Sequence, residues 1–199
     1  MSCTTSARHR WRVVYPLGRA DAVRAMGTVA APLLAGFGLA TVAVLITAER
    51  QPPLAEAAIT AFTMGSILFV FSIQFTGASL LYAATPAERV AWEAGAEPGN
   101  GVATVRAVKL QHKDMWLADR YFQRARCAYD VGILAHLSGL AVLLVPGAVN
   151  GGQWAAVGVV LLAIVFEAIW ITSLYHGRGP KWFVPSYRHA RMALHSEVE

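Results

Sequence analysis

The chain has 199 residues, 56% of them hydrophobic and only 15% charged, with a mean hydropathy of +0.45 and a formal net charge of +5. Soluble domains usually carry about 25% charged residues. This composition excludes an ordinary soluble domain, a disordered chain, a disulfide scaffold and a collagen-like rod. Fourteen arginines stand against three lysines in an Ala/Gly/Val-rich background, a composition that fits a GC-rich bacterial genome.

Residues 1–26 read as a basic tail. Arg8, Arg10 and Arg12 alternate with His9 and Trp11, and Tyr15 follows. Such basic-aromatic segments lie on a membrane surface. The first long uncharged stretch, 27–48, follows this tail. It is longer than a signal-peptide core, so it is expected to anchor rather than be cleaved. Its Ala31, Ala35, Gly36, Gly38 and Ala40 offer a close-packing surface, and Pro32 is expected to kink its first turns. A second stretch covers 57–84. Two more, about 128–149 and 153–176, are separated by Pro146, Gly147, Asn150, Gly151 and Gly152. A helix of roughly 20 apolar residues crosses about 30 Å of hydrocarbon. A bilayer leaves backbone groups no water to bond, so spans of this length are expected to be helices. The predicted fold class is therefore all-α: a four-transmembrane-helix bundle with a helical cytoplasmic extension between the second and third spans.

The charges predict the threading. Of 17 basic residues, five fall in 1–26, one near 49–56, seven in 85–127, none in 147–153 and four in 177–199. Sixteen of 17 thus share one side, which the positive-inside rule makes cytoplasmic. The expected location is a cell (inner) membrane, multi-pass, with both termini inside. Tyr82, Tyr129 and Tyr175 mark the inner ends of spans and Trp154 an outer end, as in an aromatic belt. The basic balance then reflects threading rather than nucleic-acid binding. Cys3 and Cys127 fall on the reducing side and form no zinc-ligand set.

The 85–127 loop carries two local signals. Thr85, Pro86 and Glu88 form a capping box with proline at the first helical position, predicting a short helix to about Glu93. Gly95, Pro98, Gly99, Asn100 and Gly101 then break the chain. From Val102 no Gly or Pro occurs before Gly132, which predicts one long helix running from the loop into the third span. On it Arg106, Lys109, Lys113, Arg120 and Arg124 fall within about a 60° arc. Val105, Val108, Met115, Trp116 and Phe122 gather opposite. The basic stripe reads either as a solvated face or as an attachment surface for anionic lipid headgroups or an acidic partner. After the fourth span, Gly177 reads as a helix cap. The C-terminal tail, 177–199, is again basic-aromatic: Lys181, Trp182, Phe183, Arg188 and Arg191.

Polar residues inside the spans are the only candidates for chemistry. Gln74, His136 and Glu167 are expected roughly 12–15 Å deep, in one inner-half layer of the membrane. Small neighbours predict that they face inward: Gly132 and Gly139 beside His136; Ala156, Val160 and Ala163 beside Glu167; Thr63, Ser66, Val70 and Gly77 beside Gln74. A membrane glutamate is costly unless paired or neutral. Glu167 therefore reads as a neutral or His-paired register lock, as a proton or ion site, or as a snorkelling interfacial group. Asp130 would be a cytoplasmic entry to such a path. No HExxH, CxxC, GxSxG or Walker A motif occurs, and no catalytic residue, metal ligand set or cofactor is assigned. The leading expectation is a non-enzymatic scaffold, sensor or subunit of a membrane complex, with a homo-oligomer or a membrane partner. The alternatives are a small oligomeric channel or proton-linked transporter, and an unrecognised membrane enzyme.

Overall fold

The computed structural model describes residues 19–92, 101–147 and 151–176, and these are helical with no strand among them. The tails, the predicted cap Gly177, Cys3, the breaker run from Gly95 to Asn100 and the turn around Asn150 lie outside the described residues. The first helical stretch is α1 (Arg19–Ala25), a π-helical turn (Met26–Ala30) and α2 (Ala31–Thr47). Then come α3 (Ala55–Tyr82), α4 (Pro86–Trp92), α5 (Gly101–Leu143) and α6 (Gly151–His176). Four helices are long and apolar enough to cross a membrane: Ala20–Thr47, Ala55–Tyr82, Thr104–Leu143 and Gly151–His176.

The π-turn has a local cause. Pro32 has no N–H, and in an α-helix its ring would strike the carbonyl of Thr28. The chain widens just before it: the Ala31 N–H bonds to Met26 O, five residues back. The expected disturbance at Pro32 is thus an expanded turn, steadied by Thr28 Oγ1 donating to Arg24 O at 2.8 Å. At the other end of α5, Pro146 ends the ladder. The last turns close with Leu144 N–H to Leu140 O at 3.1 Å and Val145 N–H to Val142 O at 3.2 Å. The third membrane helix therefore stops at Leu143, six residues short of the expected Val149.

Each long helix buries one seam at a spacing of 3.5 residues, the spacing by which helices pack nearly parallel or antiparallel. On α3 the seam is Ala55, Ala58, Phe62, Gly65, Phe69, Ser72, Thr76 and Ser79, every one buried. On α5 it runs Val108, Gln111, Met115, Ala118, Phe122, Ala125, Tyr129, Gly132, His136 and Gly139, with Phe122 and Tyr129 half-buried and the rest buried. On α2 it is Ala31, Ala35, Gly38, Val42 and Leu45. The large side chains Leu33, Phe37, Val44, Ile67, Phe71 and Leu162 point outward instead. Small and polar residues inside, large apolar residues outside, is the arrangement a lipid solvent favours.

The residues form two compact units. In one, which joins the chain up to Phe37 with Ile67–Tyr129, α3 and α5 run side by side. Ser79 Oγ donates to Ala118 O at 2.9 Å, Phe69 meets Tyr129 edge-on at 5.5 Å, and Tyr82 stacks on Tyr121 at 5.9 Å. In the other, made of Gly38–Ser66 and the chain from Asp130, the core is Leu45, Ala58 and Phe62, with Val42, Ile59, Leu140, Val142 and Leu143 packed on it.

Candidate functional site

His136 is the best-defined polar group. Its ring is buried on the α5 seam. Two glycines from other helices make room for it. A Cβ on Gly38 of α2 would overlap ring atom Nε2 and Ser66 Oγ, and a Cβ on Gly65 of α3 would overlap Nδ1. Phe62 closes the ring edge-on, with centroids 5.3 Å apart and an interplanar angle of 87°. Such aromatic pairs contribute about 0.5–1.5 kcal/mol beyond their buried area. Of the glycines beside His136 in the sequence, Gly132 and Gly139 share its seam on the same helix. The residues that form the cradle are Gly38, Gly65, Ser66 and Phe62. A glycine aligned with a buried imidazole across a helix pair is a signal, but it becomes visible only once the register between helices is known.

Glu167 is half-buried on the seam of α6, which runs Val157, Val160, Ile164, Glu167, Ile171 and Leu174. Asp130 is buried on α5, six residues before His136. His136 is thus enclosed and Glu167 turned toward its helix's packing side. Gln74 behaves otherwise. It is exposed on α3, as are Val70 and Gly77 from its expected inward row. The row 63–66–70–74–77 keeps the seam's mean spacing but lies one residue, about 100°, round the helix from Phe62, Gly65, Phe69 and Thr76, off the centre of the buried face. Ser72, Thr76 and Ser79 take the buried positions instead. Ser79 beside Ala118 and Phe75 beside Tyr121 set Arg120 and Arg124 alongside the turns of α3 that follow Gln74. Arg124 leans back over the Tyr121 ring, 5.7 Å from its centroid.

The basic stripe of α5 is exposed throughout: Arg106, Lys109, Lys113, Arg120 and Arg124. The opposite face is buried at Val108, Gln111, Met115 and Ala118, with Val105 and Phe122 half-buried. Trp116 leaves the expected apolar side. It is exposed, and Arg120 lies over its ring, 5.1 Å from the centroid. A Trp at i and an Arg at i+4 are surface neighbours on a helix, so cation–π stacking outweighs burial here. Gln111, fully buried in the middle of this face, was not marked by the sequence pattern, because its neighbours are ordinary helix formers.

The α4 helix starts as its capping box predicts. The Thr85 N–H and Oγ1 donate to Glu88 Oε2 at 2.7 and 2.8 Å, and the Glu88 N–H donates to Thr85 Oγ1 at 3.2 Å. The backbone bond from Thr85, and then the hydroxyl bond, hold the Glu88 carboxyl below its usual pKa. Arg89 ties α4 to α5 through Asp114, Nη2 to Oδ2, at 2.8 Å.

Comparison of the chain with protein-family models, curated proteins and solved structures finds no match.

Proposed function

We propose that this chain is a non-enzymatic integral membrane protein of a cell (inner) membrane that acts by assembly, as a scaffold, sensor or subunit of a membrane complex. Its contact surface is the basic face of α5, presented on the cytoplasmic side to an acidic surface. The observation that carries this reading is the continuity of α5. Its 43 residues are one unbroken helix of about 64 Å, and the five cations are all exposed on it. The distribution of basic residues supports the cytoplasmic placement.

The test replaces Arg106, Lys109, Lys113, Arg120 and Arg124 with Gln. Partner recovery after affinity purification is expected to fall and thermal stability to stay the same. In the parent chain, raised salt should release the partner, because exposed charges are screened within about 10 Å at 0.1 M. Full partner recovery by the charge-free variant contradicts the proposal. Anionic vesicles that compete with the partner would identify the acidic surface as lipid.

A second reading is a small oligomeric channel or proton-linked transporter. It is favoured by one observation: Asp130 and His136 are buried on α5, and Glu167 lies on the packing seam of α6. Four helices enclose little space, so conduction needs several copies. On this reading Glu167→Gln abolishes proton flux in liposomes without unfolding the chain. Absence of flux in the parent chain removes it.

A further inference from the structure

At the C-terminal end of α3 there is an open groove of about 470 Å³. Leu80, Leu81 and Tyr82, the last turn of α3, line one side. Glu88, Arg89 and Trp92 of α4 and Asp114 of α5 line the rest. Its chemistry is mixed in an ordered way. Leu81 is 84% exposed and Trp92 85% exposed, a large apolar area beside a helix end. Next to them sits the Arg89–Asp114 ion pair, with side chains 23% and 21% exposed. Arg89 is underused. One nitrogen bonds Asp114, while its Nε is enclosed without a hydrogen-bond partner. A guanidinium has five donors, so this one keeps capacity for a further acceptor. Two carboxylates, Glu88 and Asp114, line the groove with the one cation, an excess of negative charge.

We propose that this groove holds the headgroup of a zwitterionic lipid with a primary ammonium, a phosphoethanolamine head. Three features choose that occupant. The groove opens at the end of a membrane-length helix, where lipid headgroups are the surrounding medium. Arg89 is a phosphate donor, since guanidinium matches phosphate geometry. The excess carboxylate disfavours an anionic head and accepts hydrogen bonds from an ammonium that carries N–H groups. A trimethylated head has no such N–H to donate. Leu81 and Trp92 then lie against the glycerol and upper acyl chains, where tryptophan is favoured. This inference is independent of the basic face of α5, because none of that face's five cations lines the groove.

The test is native mass spectrometry of the delipidated full chain in detergent. It is titrated separately with short-chain phosphatidylethanolamine, phosphatidylcholine and phosphatidylglycerol, and with free phosphoethanolamine. The parent chain is expected to keep phosphatidylethanolamine at least tenfold more tightly than the other two lipids. Free phosphoethanolamine should bind far more weakly, since it lacks the acyl contacts. Arg89→Gln should reduce retention about tenfold, and Asp114→Asn should erase the preference over phosphatidylglycerol. Equal retention of the three lipids by the parent chain overturns the proposal, whatever the variants do. Equal binding of free phosphoethanolamine also overturns it, by showing a soluble-phosphate site.

Discussion

At Gly65 the missing side chain is the functional part. The imidazole of His136 occupies the volume that a Cβ would fill, and Gly38 does the same from α2. Overpacking a close contact costs about 1–3 kcal/mol. Gly65→Val is therefore expected to lower the unfolding free energy in detergent by about that amount, and His136→Ala in the same chain to recover most of it. Two independent losses that simply add would show that the contact is absent. Ser79 is a milder case. Interhelical hydrogen bonds in membranes average about 0.6 kcal/mol, so Ser79→Ala should cost about that much in the same assay. Polarity in the sequence drew attention to His136 and Glu167, and the structure buries the first and half-buries the second. The same reasoning set Gln74 on the inward row. It failed because nearly every neighbour is apolar, so hydropathy marks no inside face. The informative pattern on α3 is Ser72, Thr76 and Ser79 at steps of four and three, opposite the bulky Ile67 and Phe71.

The helices show which local signals are strong. The start of α4 follows from Thr85, Pro86 and Glu88 alone, because capping is chemistry within four residues. The π-turn at Met26–Ala30 was legible only as a disturbance near Pro32; its form depends on how the flanking turns pack. Glu88 makes α4 pH-dependent. Its folded pKa lies below the unfolded value of 4.5, so its stabilisation is complete above that value. It is lost as the pH falls through the lowered folded pKa. The protection of amides 86–92 against exchange, taken relative to the intrinsic rate at each pH, should therefore fall under acid, and Glu88→Gln should flatten that dependence. Exchange that is equally acid-sensitive in the variant would assign the effect elsewhere. The continuity of α5 is testable in the same spirit. Spin labels at positions 106 and 124, 18 residues apart, should give one narrow distance distribution. Its Cα separation is about 27 Å at 1.5 Å per residue. A broad or shorter distribution would indicate a hinge and contradict the unbroken helix.

For the molecule as a whole, length and composition made the four membrane helices legible, since the bilayer thickness sets how many apolar residues a helix must have. The ends were less legible. Long arginines reach back along their helix, so charged residues from Asp119 to Arg126 sit beside α3 turns that contain no charge at all. Burial differs among the helices: 33% of the apolar window is buried on Ala55–Tyr82 and only 6% on Gly151–His176. The least enclosed helix also carries Glu167, so that helix is where a further copy or partner would change the environment most. Assembly through the α5 face requires Lys109 and its neighbours to share a compartment opposite the turn before α6. Cysteine labelling measures this directly. With Cys3 and Cys127 replaced by Ser, single cysteines are placed at Lys109 and Gln153 and probed in intact cells with a membrane-impermeant maleimide. The account predicts that Gln153→Cys is labelled at once and Lys109→Cys only after the cells are permeabilised. Labelling of Lys109→Cys in intact cells, or identical behaviour of the two positions, would contradict it.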